Sequence, residues 1–423
     1  MAMTDTVTFI HTADLHLGAP FRGLHSVSEK WADRLIEAVP KAYDRMVDAA
    51  LEHQVDFVII AGDTFDEARP SYGDFMHFID GLNKLGNAGI PVYLCTGNHD
   101  PYTSWRRGYT DLPQNAFMFS AARPGYFCFK RNGIPLVLLA GRGFYNQAWS
   151  SDESIATGIT ASDARAALGV SAPFAVGVIH TGLDRDVSKA PVTTAELLGA
   201  GMDYWALGHL HRPEVIDDPG NPHIAFSGCI QGRALNETGP HGVNLVTLRR
   251  GERNRVEFIP TASVVWERPN VDVTDAESLS DIVERIIARL YRLNGGSFCS
   301  RMIERVVLRG ATSIHEALQR PGVLDDMRDR VNNEVPDFFC DAIVDATTIP
   351  LDKERLLGEG LFPATFMRAY EQVSADREAE LSYLQDAFAE KGLSLPRFVE
   401  KRLDEIGAEA EDVVLDMLNG GRL

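Results

Sequence analysis

The feature that most constrains the fold of this chain is the alternation of short apolar runs with helical stretches. Runs such as 56–61 and 174–179 are rich in Val, Ile and Phe, and each ends in a polar or Gly-rich turn, which is typical of buried strands. Residues 28–53 and 70–85 carry apolar side chains at helical spacing, with Pro40 expected to kink or break the first of these helices. The alternation predicts an α/β fold whose helices pack on the faces of a sheet.

The second half of the chain has a different pattern of predicted strands and helices. From about residue 223 the sequence reads as strands separated by turns, and a β–α–β–α–β pattern follows over 263–346. This pattern predicts a second, small α/β domain. Beyond Pro350 the sequence is helical and amphipathic. A length of 423 residues is consistent with two or three domains.

Five polar clusters follow the predicted strands. They are DLH at 14–16, GDTFD at 62–66, GNHD at 97–100, a single histidine at 180 and GHLH at 208–211. Ligand sites of open α/β sheets lie just beyond the carboxyl ends of the strands. A single D-x-H sequence occurs by chance, and a lone histidine such as His180 is more often part of a core. Five clusters in equivalent positions predict a functional site.

These side chains fit a pair of divalent metal ions. Two cations about 3.5–4 Å apart repel each other, so a carboxylate has to bridge them, and Asp63, directly after a strand, is the expected bridge. The remaining ligands form two sets, which are Asp14, His16 and His211 for one metal and Asn98, His180 and His209 for the other. Nitrogen and oxygen ligands without thiolate favour Mn²⁺, Fe or Zn²⁺ over Ca²⁺, and Mg²⁺ stays open. Gly62, Gly97 and Gly208 suit a backbone that turns tightly or approaches the metals.

His99 lies next to a predicted ligand but is not needed as one. A histidine close to the metals could protonate a leaving oxygen or stabilise charge on a phosphate. Asp66, three residues after the bridge, is expected to orient that imidazole, as carboxylates commonly do. The alternative for Asp66 is a helix N-cap or a turn residue. Asp100 is expected to accept hydrogen bonds within its own loop.

The motif set DLH, GDTFD, GNHD, His and GHLH resembles that of the calcineurin-like metallophosphoesterases. The stretches TADLHLGAPF, GDTFDEARPS and 227–248 resemble the SbcD-type DNA repair nucleases, and among them the YhaO-like subgroup. The resemblance implies a four-layer sandwich, with two mixed β-sheets flanked by helices, over residues 1–262. It also implies a small α/β capping domain over 263–348 and a helical partner-binding tail over 349–423.

In that family the reaction is metal-assisted hydrolysis of a DNA phosphodiester, usually with Mn²⁺. The resemblance therefore implies an exonuclease or endonuclease subunit in which His99 is the catalytic histidine that binds no metal. Such nucleases work as dimers with an SMC-like ATPase. The expected partners are thus DNA, a second copy of the chain and a coiled-coil ATPase subunit. The helices beyond Pro350 could dock that ATPase or pack back onto their own domain.

The charge balance argues against a protein that coats nucleic acid. The chain has 41 basic and 60 acidic residues, a net charge of −19, which argues against a broad basic surface. DNA would then be held at the metal cleft, and the candidate phosphate contacts are Arg22, Arg107 and Arg212. Residues 351–423 contain 16 acidic and 9 basic residues, a balance that suits a protein partner better than DNA.

The cysteines and the N-terminus indicate the compartment. Five scattered cysteines predict neither a disulfide framework nor a thiolate zinc site, and they fit a reducing environment. The first residues lack the basic and apolar regions of a signal peptide. Apolar runs fall far short of the ~20 residues that span a bilayer. A cytoplasmic protein without membrane contact is expected.

Two other functions remain open on the motifs alone. One is a metal-dependent phosphatase or phosphodiesterase that acts on nucleotides or phosphoproteins. The other is a non-enzymatic scaffold whose metals are structural and whose tail recruits partners. The complete ligand set and His99 favour an enzyme, and the capping-like region favours DNA as the substrate.

Overall fold

A computed structural model describes residues 5–22, 29–67, 70–105, 111–150, 152–186, 189–296, 299, 301–335, 337–350 and 353–418. The strands in this part of the chain are β1 (Thr6–Thr12), β2 (Phe57–Ala61), β3 (Val92–Cys95), β4 (Ala116–Met118), β5 (Gly125–Arg131), β6 (Ile134–Arg142), β7 (Phe174–His180), β8 (Tyr204–Gly208), β9 (Glu214–Val215), β10 (Ile224–Phe226), β11 (Gly242–Arg249), β12 (Arg255–Pro260), β13 (Val265–Glu267), β14 (Asn270–Asp272), β15 (Met302–Ala311) and β16 (Phe338–Thr348).

The helices fall between these strands and after the last of them. They are α1 (Glu29–Ile36), α2 (Ala38–Glu52), α3 (Tyr72–Asn87), α4 (Tyr102–Trp105), α5 (Ala161–Leu168), α6 (Thr194–Gly199), α7 (Leu279–Gly296), α8 (His315–Leu318), α9 (Val323–Glu334), α10 (Lys353–Glu359), α11 (Phe362–Ser374), α12 (Arg377–Glu390), α13 (Arg397–Lys401) and α14 (Leu403–Leu418). None of the helices described is long and apolar enough to cross a membrane.

Two six-stranded sheets form the centre of the first part of the chain. Their strand orders are β12-β11-β1-β2-β3-β4 and β5-β6-β7-β8-β10-β9. Within the first sheet β1, β2, β3 and β4 run parallel, whereas β11 is antiparallel to both of its neighbours. Within the second sheet β6, β7, β8 and β10 run parallel, and the two edge strands are antiparallel. Both sheets are therefore mixed.

The alternation of side chains along β2 shows how the layers form. Phe57 and Ile59 pack between the two sheets, against β7 and β8 residues such as Val176 and Tyr204. Val58 and Ile60 point to the opposite face, where helices α2 and α3 cover them. Because both faces are buried, the strand reads as a continuous apolar run rather than an alternating one. Helices α5 and α6 cover the outer face of the second sheet, so the predicted α/β sandwich of two mixed sheets flanked by helices is confirmed.

The break in the first helical stretch lies earlier than Pro40 predicts. Helix α1 ends at Ile36, Glu37 separates it from α2, and Pro40 occupies the first turn of α2. A proline is tolerated there because the first N–H groups of a helix have no intrahelical acceptor. The expected break at Pro40 was therefore wrong by three residues.

The chain divides into two compact units. One consists of the described residues of 1–268, 294–304 and 337–341, and the other of 269–293, 305–336 and 342–418. Beyond the sandwich, β13, β14 and β16 all pair with β15 in a small third sheet. The C-terminal helices have their own small core around Leu356, Met367 and Leu415. The domain boundaries at 262 and 348 stay predictions.

Candidate metal centre

The five polar clusters come together where strands of the two sheets end. DLH follows β1, GDTFD follows β2 and GNHD follows β3, in three adjacent parallel strands of the first sheet. His180 ends β7, and GHLH begins at the end of β8, its neighbour in the second sheet. The first two loops are joined by the backbone, because the N–H groups of Asp14 and His16 donate to the carbonyls of Gly62 and Asp63. The topology thus supplies one site from both sheets.

The backbone of this site is strained. Asp14, His16 and Asp63 have φ values of 50°, 46° and 50°, and His209 has a φ of 106°. Left-handed backbone is uncommon for residues other than glycine and costs on the order of 1–3 kcal/mol per residue. Four of the seven predicted ligands therefore adopt a costly conformation, which is typical of a functional site.

Two glycines next to the ligands are required by space and conformation. A Cβ atom on Gly97 would lie 2.1 Å from Oδ1 of Asp63. Gly62 has a φ of +91°, and a Cβ there would lie 2.5 Å from Nδ1 of His180. The predicted close approach of the backbone to the ligands is thus present at both positions.

The first half of the site brings Asp14, His16 and His211 together. Nε2 of His16 and Nε2 of His211 face each other at 3.1 Å, and both lie 3.9 Å from Oδ1 of Asp14. Nδ1 of His211 lies 2.5 Å from a carboxylate oxygen of Glu237. Nδ1 of His16 lies 3.1 Å from Oδ1 of Asp66, a close contact rather than an aligned hydrogen bond. The two Nε2 atoms therefore face one space that can hold a proton or a cation.

The second half is centred on His180, which is fully buried. Its Nδ1 donates to the carbonyl of Ala61 at 2.9 Å, so in the neutral ring its Nε2 carries the lone pair. That atom lies 3.2 Å from Oδ1 of Asn98 and 3.3 Å from Oδ2 of Asp63. A nitrogen lone pair facing two oxygen acceptors is a donor set for a cation.

Asp63 is placed to bridge the two halves. Its Oδ2 lies 3.3 Å from Nε2 of His180 and 3.9 Å from Nε2 of His16, and its Oδ1 accepts the backbone N–H of His99 at 2.9 Å. Burial acts to raise the pKa of this carboxyl, but His180, His16 and His99 outweigh burial and hold the pKa well below its usual value. Burial acts to lower the pKa of His180, but Asp63 outweighs burial and raises the pKa to about 9. A proton shared by Asp63 and His180 would occupy the space in which these donor atoms could hold a cation.

His209 completes the second half less directly. Its ring lies edge-on to that of His180, with centroids 5.3 Å apart, and its Nε2 lies 3.4 Å from Oδ2 of Asp186. Its backbone N–H donates to Oδ2 of Asp14 at 2.9 Å, which links it to the first half. The seven predicted ligands thus lie around one site. The donor sets Asp14–His16–His211 and Asp14–Asp63–His180 each fit a divalent ion, whereas Nε2 of His209 faces Asp186.

Asp66 makes a different contact from the one expected. Its carboxylate lies against His16 and, at 3.0 Å, against Nη1 of Arg233. The group that accepts from Nδ1 of His99, at 2.8 Å, is the backbone carbonyl of Asp66. Orientation of His99 by the Asp66 carboxylate was therefore wrong, because the side chain turns inward to a predicted ligand and an arginine. Asp100 accepts the backbone N–H groups of Thr64 and Gly97, within and beside its own loop.

Three further residues hold the site. Glu237 supports His211 and Asp186 supports His209, and neither has a role predicted from the sequence. Arg233, one of the arginines near the metal motifs that could contact phosphates, instead contacts Asp66. The stretch 227–248 was singled out only for its resemblance, and it contains two of these residues. Carboxylates that support metal-binding histidines have no fixed sequence distance from them, so no spacing rule could identify Glu237 or Asp186.

The three arginines predicted to contact DNA have different surroundings. Arg22 is exposed, and its Nη2 lies 3.5 Å from Oδ2 of Asp66. Arg212 is exposed and lines a cavity of about 830 Å³ that also includes His209, His211 and Asn236. Arg107 lies outside the described residues.

Comparison with known proteins agrees with this geometry. The calcineurin-like phosphoesterase family profile matches residues 7–213, and the profile of the metallophosphoesterase YhaO middle domain matches residues 266–348. A protein of Bacillus subtilis (strain 168), named "Uncharacterized metallophosphoesterase YhaO", is 32% identical over 339 residues, 78% of this chain and 79% of that protein. The chain belongs to the calcineurin-like metallophosphoesterase family. This confirms the family resemblance and is consistent with the YhaO-like subgroup.

More distant relatives carry other names. A "DNA double-strand break repair protein Mre11" of Aeropyrum pernix is 25% identical over 288 residues, 66% of this chain and 67% of that protein. A solved structure of a dimetal phosphatase from Danio rerio covers 60% of this metallophosphoesterase and 98% of its own chain, with 12% identity and a TM-score of 0.36. Membership of the family implies divalent metals held by His and Asp residues, and hence a metal-dependent phosphoester hydrolase.

Proposed function

We propose that this metallophosphoesterase hydrolyses phosphodiester bonds of DNA with two divalent ions, Mn²⁺ foremost. The observation that carries the proposal is the position of His99, which lies beside the predicted ligands with one ring nitrogen uncommitted to them. Two bound ions would neutralise charge on the scissile phosphate and lower the pKa of an attacking water. Proton transfer and substrate binding would be performed by side chains of this protein.

His99 is suited to deliver a proton to the leaving oxygen. Its ring is held by the Asp66 carbonyl through Nδ1, and its backbone N–H is held by Asp63. Nδ1 therefore carries the donated proton, and Nε2 is left to exchange a proton with a substrate. Its side chain is exposed, whereas Asp14, His16 and His180 are buried. A group that moves protons must reach the substrate, and His99 meets that condition.

Two observations support DNA over a small phosphoester. The relative from Aeropyrum pernix is named for DNA double-strand break repair. The cavity beside His209 and His211 has a volume of about 830 Å³ and includes Arg212, Asn236 and Thr238. These side chains can donate hydrogen bonds to phosphates on either side of the cleaved bond.

The C-terminal helices are the proposed docking surface for an SMC-like coiled-coil ATPase, and the chain is proposed to act as a homodimer. Large apolar side chains of this region are exposed, with exposed fractions of 63% for Leu361, 67% for Phe362, 72% for Tyr383 and 63% for Phe398. Exposed large apolar side chains grouped in one helical region suit a protein partner. Co-elution of the two purified subunits checks this assignment.

A comparison of three substrates tests the proposed reaction. The full chain, supplied with Mn²⁺, is assayed on end-labelled linear DNA, a small phosphodiester and a phosphomonoester. Cleavage of linear DNA at the highest kcat/KM is expected. Intact DNA together with rapid turnover of the phosphomonoester would establish the nucleotide or phosphoprotein phosphatase instead. No turnover of any substrate at full Mn²⁺ occupancy would favour the scaffold.

Replacement of His99 tests its role in proton transfer. His99→Asn is expected to lower kcat by about 10²–10⁴-fold, the usual contribution of general acid–base catalysis. Because His99 is not a predicted ligand, two Mn²⁺ ions should still bind, as measured by elemental analysis of the purified protein. His53→Asn, a change at an exposed histidine at the end of α2, is the matched control. Loss of metal from the His99 variant would contradict the role.

A further inference from the structure

The two halves of the metal centre are supported by different kinds of groups. In the first half, the Nδ1 atoms of His16 and His211 both lie against carboxylates, those of Asp66 and Glu237. The side chains of these two acids are only 7% and 11% exposed. In the second half, His180 relies on a backbone carbonyl, and His209 contacts the more exposed Asp186 at 3.4 Å. Only the first half therefore depends on a pair of buried acids.

Arg233 contacts both of these acids. Its Nη1 lies 3.0 Å from Oδ1 of Asp66, and its backbone N–H donates to Oε2 of Glu237 at 2.6 Å. Its side chain is 10% exposed. Its own carbonyl accepts the backbone N–H of Arg22 at 3.1 Å, so the residue is fixed at both ends. One residue thus joins the two acids, which come from loops far apart in the sequence.

The charge of Arg233 is what lets two buried acids stay close to a metal site. A buried carboxylate stays charged only where a cation or hydrogen-bond donors lie next to it. The Arg233 guanidinium lies 3.0 Å from Asp66, and the Arg233 backbone N–H donates to Glu237. The two carboxylates are thereby held against Nδ1 of His16 and Nδ1 of His211.

We propose that Arg233 is a positioning residue that holds Asp66 and Glu237, and through them His16 and His211, so that it sets the affinity of the first metal position alone. The proposal rests on the two-metal chemistry inferred above, but it concerns metal binding rather than the substrate. Removal of supporting groups around a metal typically lowers its affinity by about 10- to 100-fold. That loss should fall on one ion of the pair.

Metal titration of the full chain tests the proposal. The wild type is expected to bind two Mn²⁺ ions, and their magnetic coupling should appear in the electron paramagnetic resonance spectrum. Arg233→Met should bind one ion with wild-type affinity and the other about 10- to 100-fold more weakly, so that one equivalent gives an uncoupled signal. Arg233→Lys, which keeps the positive charge near Asp66, should recover part of the lost affinity. Arg142→Met is the matched control, because Arg142 is similarly buried and pairs with Glu153 outside the metal centre.

The outcomes separate this proposal from the proposed function. Equal weakening of both ions, or no weakening in Arg233→Met, would overturn the proposal. If Arg233→Met does not fold, Asp66→Asn and Glu237→Gln provide the test, since each should weaken the same single ion. A wild type that binds two ions but leaves DNA intact would refute the DNA substrate, while the role of Arg233 would still be decided by the titration.

Discussion

His11 and His16 lie five residues apart, and both are buried, but their partners differ completely. On β1, Nδ1 of His11 is bonded to the hydroxyl of Tyr204 at 2.9 Å, and its Nε2 to the carbonyl of Leu207 at 3.2 Å. His16, in the loop beyond the strand, faces a second histidine and three carboxylates. At the residue scale, the place of a histidine relative to the strand end separates a core residue from a predicted ligand. The position of a histidine relative to a strand end therefore predicted most of the ligands. The carboxylates that support these histidines, Glu237 and Asp186, could not be identified from sequence spacing.

The stability of the protein should depend on pH through His11. Burial lowers its pKa to about 3, while a histidine in the unfolded chain has a pKa near 6.5. Between these values the unfolded chain binds more protons, so the free energy of unfolding should fall as the pH falls, by up to about 1.4 kcal/mol per pH unit. His11→Gln removes this proton uptake and should give a shallower slope between pH 6.5 and 4.5. Urea unfolding in a chelator measures both slopes without metal, and equal slopes would contradict the assignment.

At the scale of elements, the site depends on where parallel strands end. The motifs follow β1, β2 and β3 in one sheet and β7 and β8 in the other, and the apolar runs predicted those strands. The apolar runs alone could not show that the two sheets face each other, since strand order depends on long-range pairing, and only the family resemblance implied this arrangement. The break before Pro40 was also not apparent from the sequence, because Glu37 between the two helices keeps helical dihedral angles.

The loop after β3 should not tolerate a side chain at position 97. Gly97→Ala would place a methyl group 2.1 Å from Oδ1 of Asp63, so the bridging carboxylate has to move. Overpacking of this kind costs about 1–3 kcal/mol, and we expect a lower melting temperature together with weaker Mn²⁺ binding. Gly199→Ala is the control, because no atom lies within 4 Å of a Cβ there. Unchanged Mn²⁺ binding in Gly97→Ala would disprove the steric argument.

At the scale of the whole molecule, the net charge of −19 and the proposed DNA substrate place opposite demands on the surface. Charges farther apart than about 8 Å are screened at physiological salt, so the net charge of the chain does not by itself decide how DNA meets the metal centre. Arginine contacts would have to be few and local. Which arginines reach the metal centre depends on loop conformations that the sequence does not specify. Arg22 lies against Asp66, whereas Arg212 lines the cavity beside His209 and His211.

DNA binding should therefore depend only weakly on salt. Three phosphate contacts, from Arg22, Arg107 and Arg212, would give a slope of about −2.7 for log K against log salt concentration. Fluorescence anisotropy with a labelled duplex, measured on His99→Asn in Mn²⁺ to prevent cleavage, provides the value. A slope steeper than about −6 would mean that a much broader basic surface contacts DNA.

The left-handed backbone at Asp14, His16, Asp63 and His209 also has a consequence for descent. Aspartate and asparagine tolerate this conformation better than most side chains, and glycine tolerates it best. In homologues that have lost catalytic activity, the left-handed backbone of these loops should persist longer than the charged side chains. Their positions 14 and 63 should then drift to Asn or Gly rather than to Val or Ile, so that a retired site of this kind would still be recognisable by the residues that replaced its ligands.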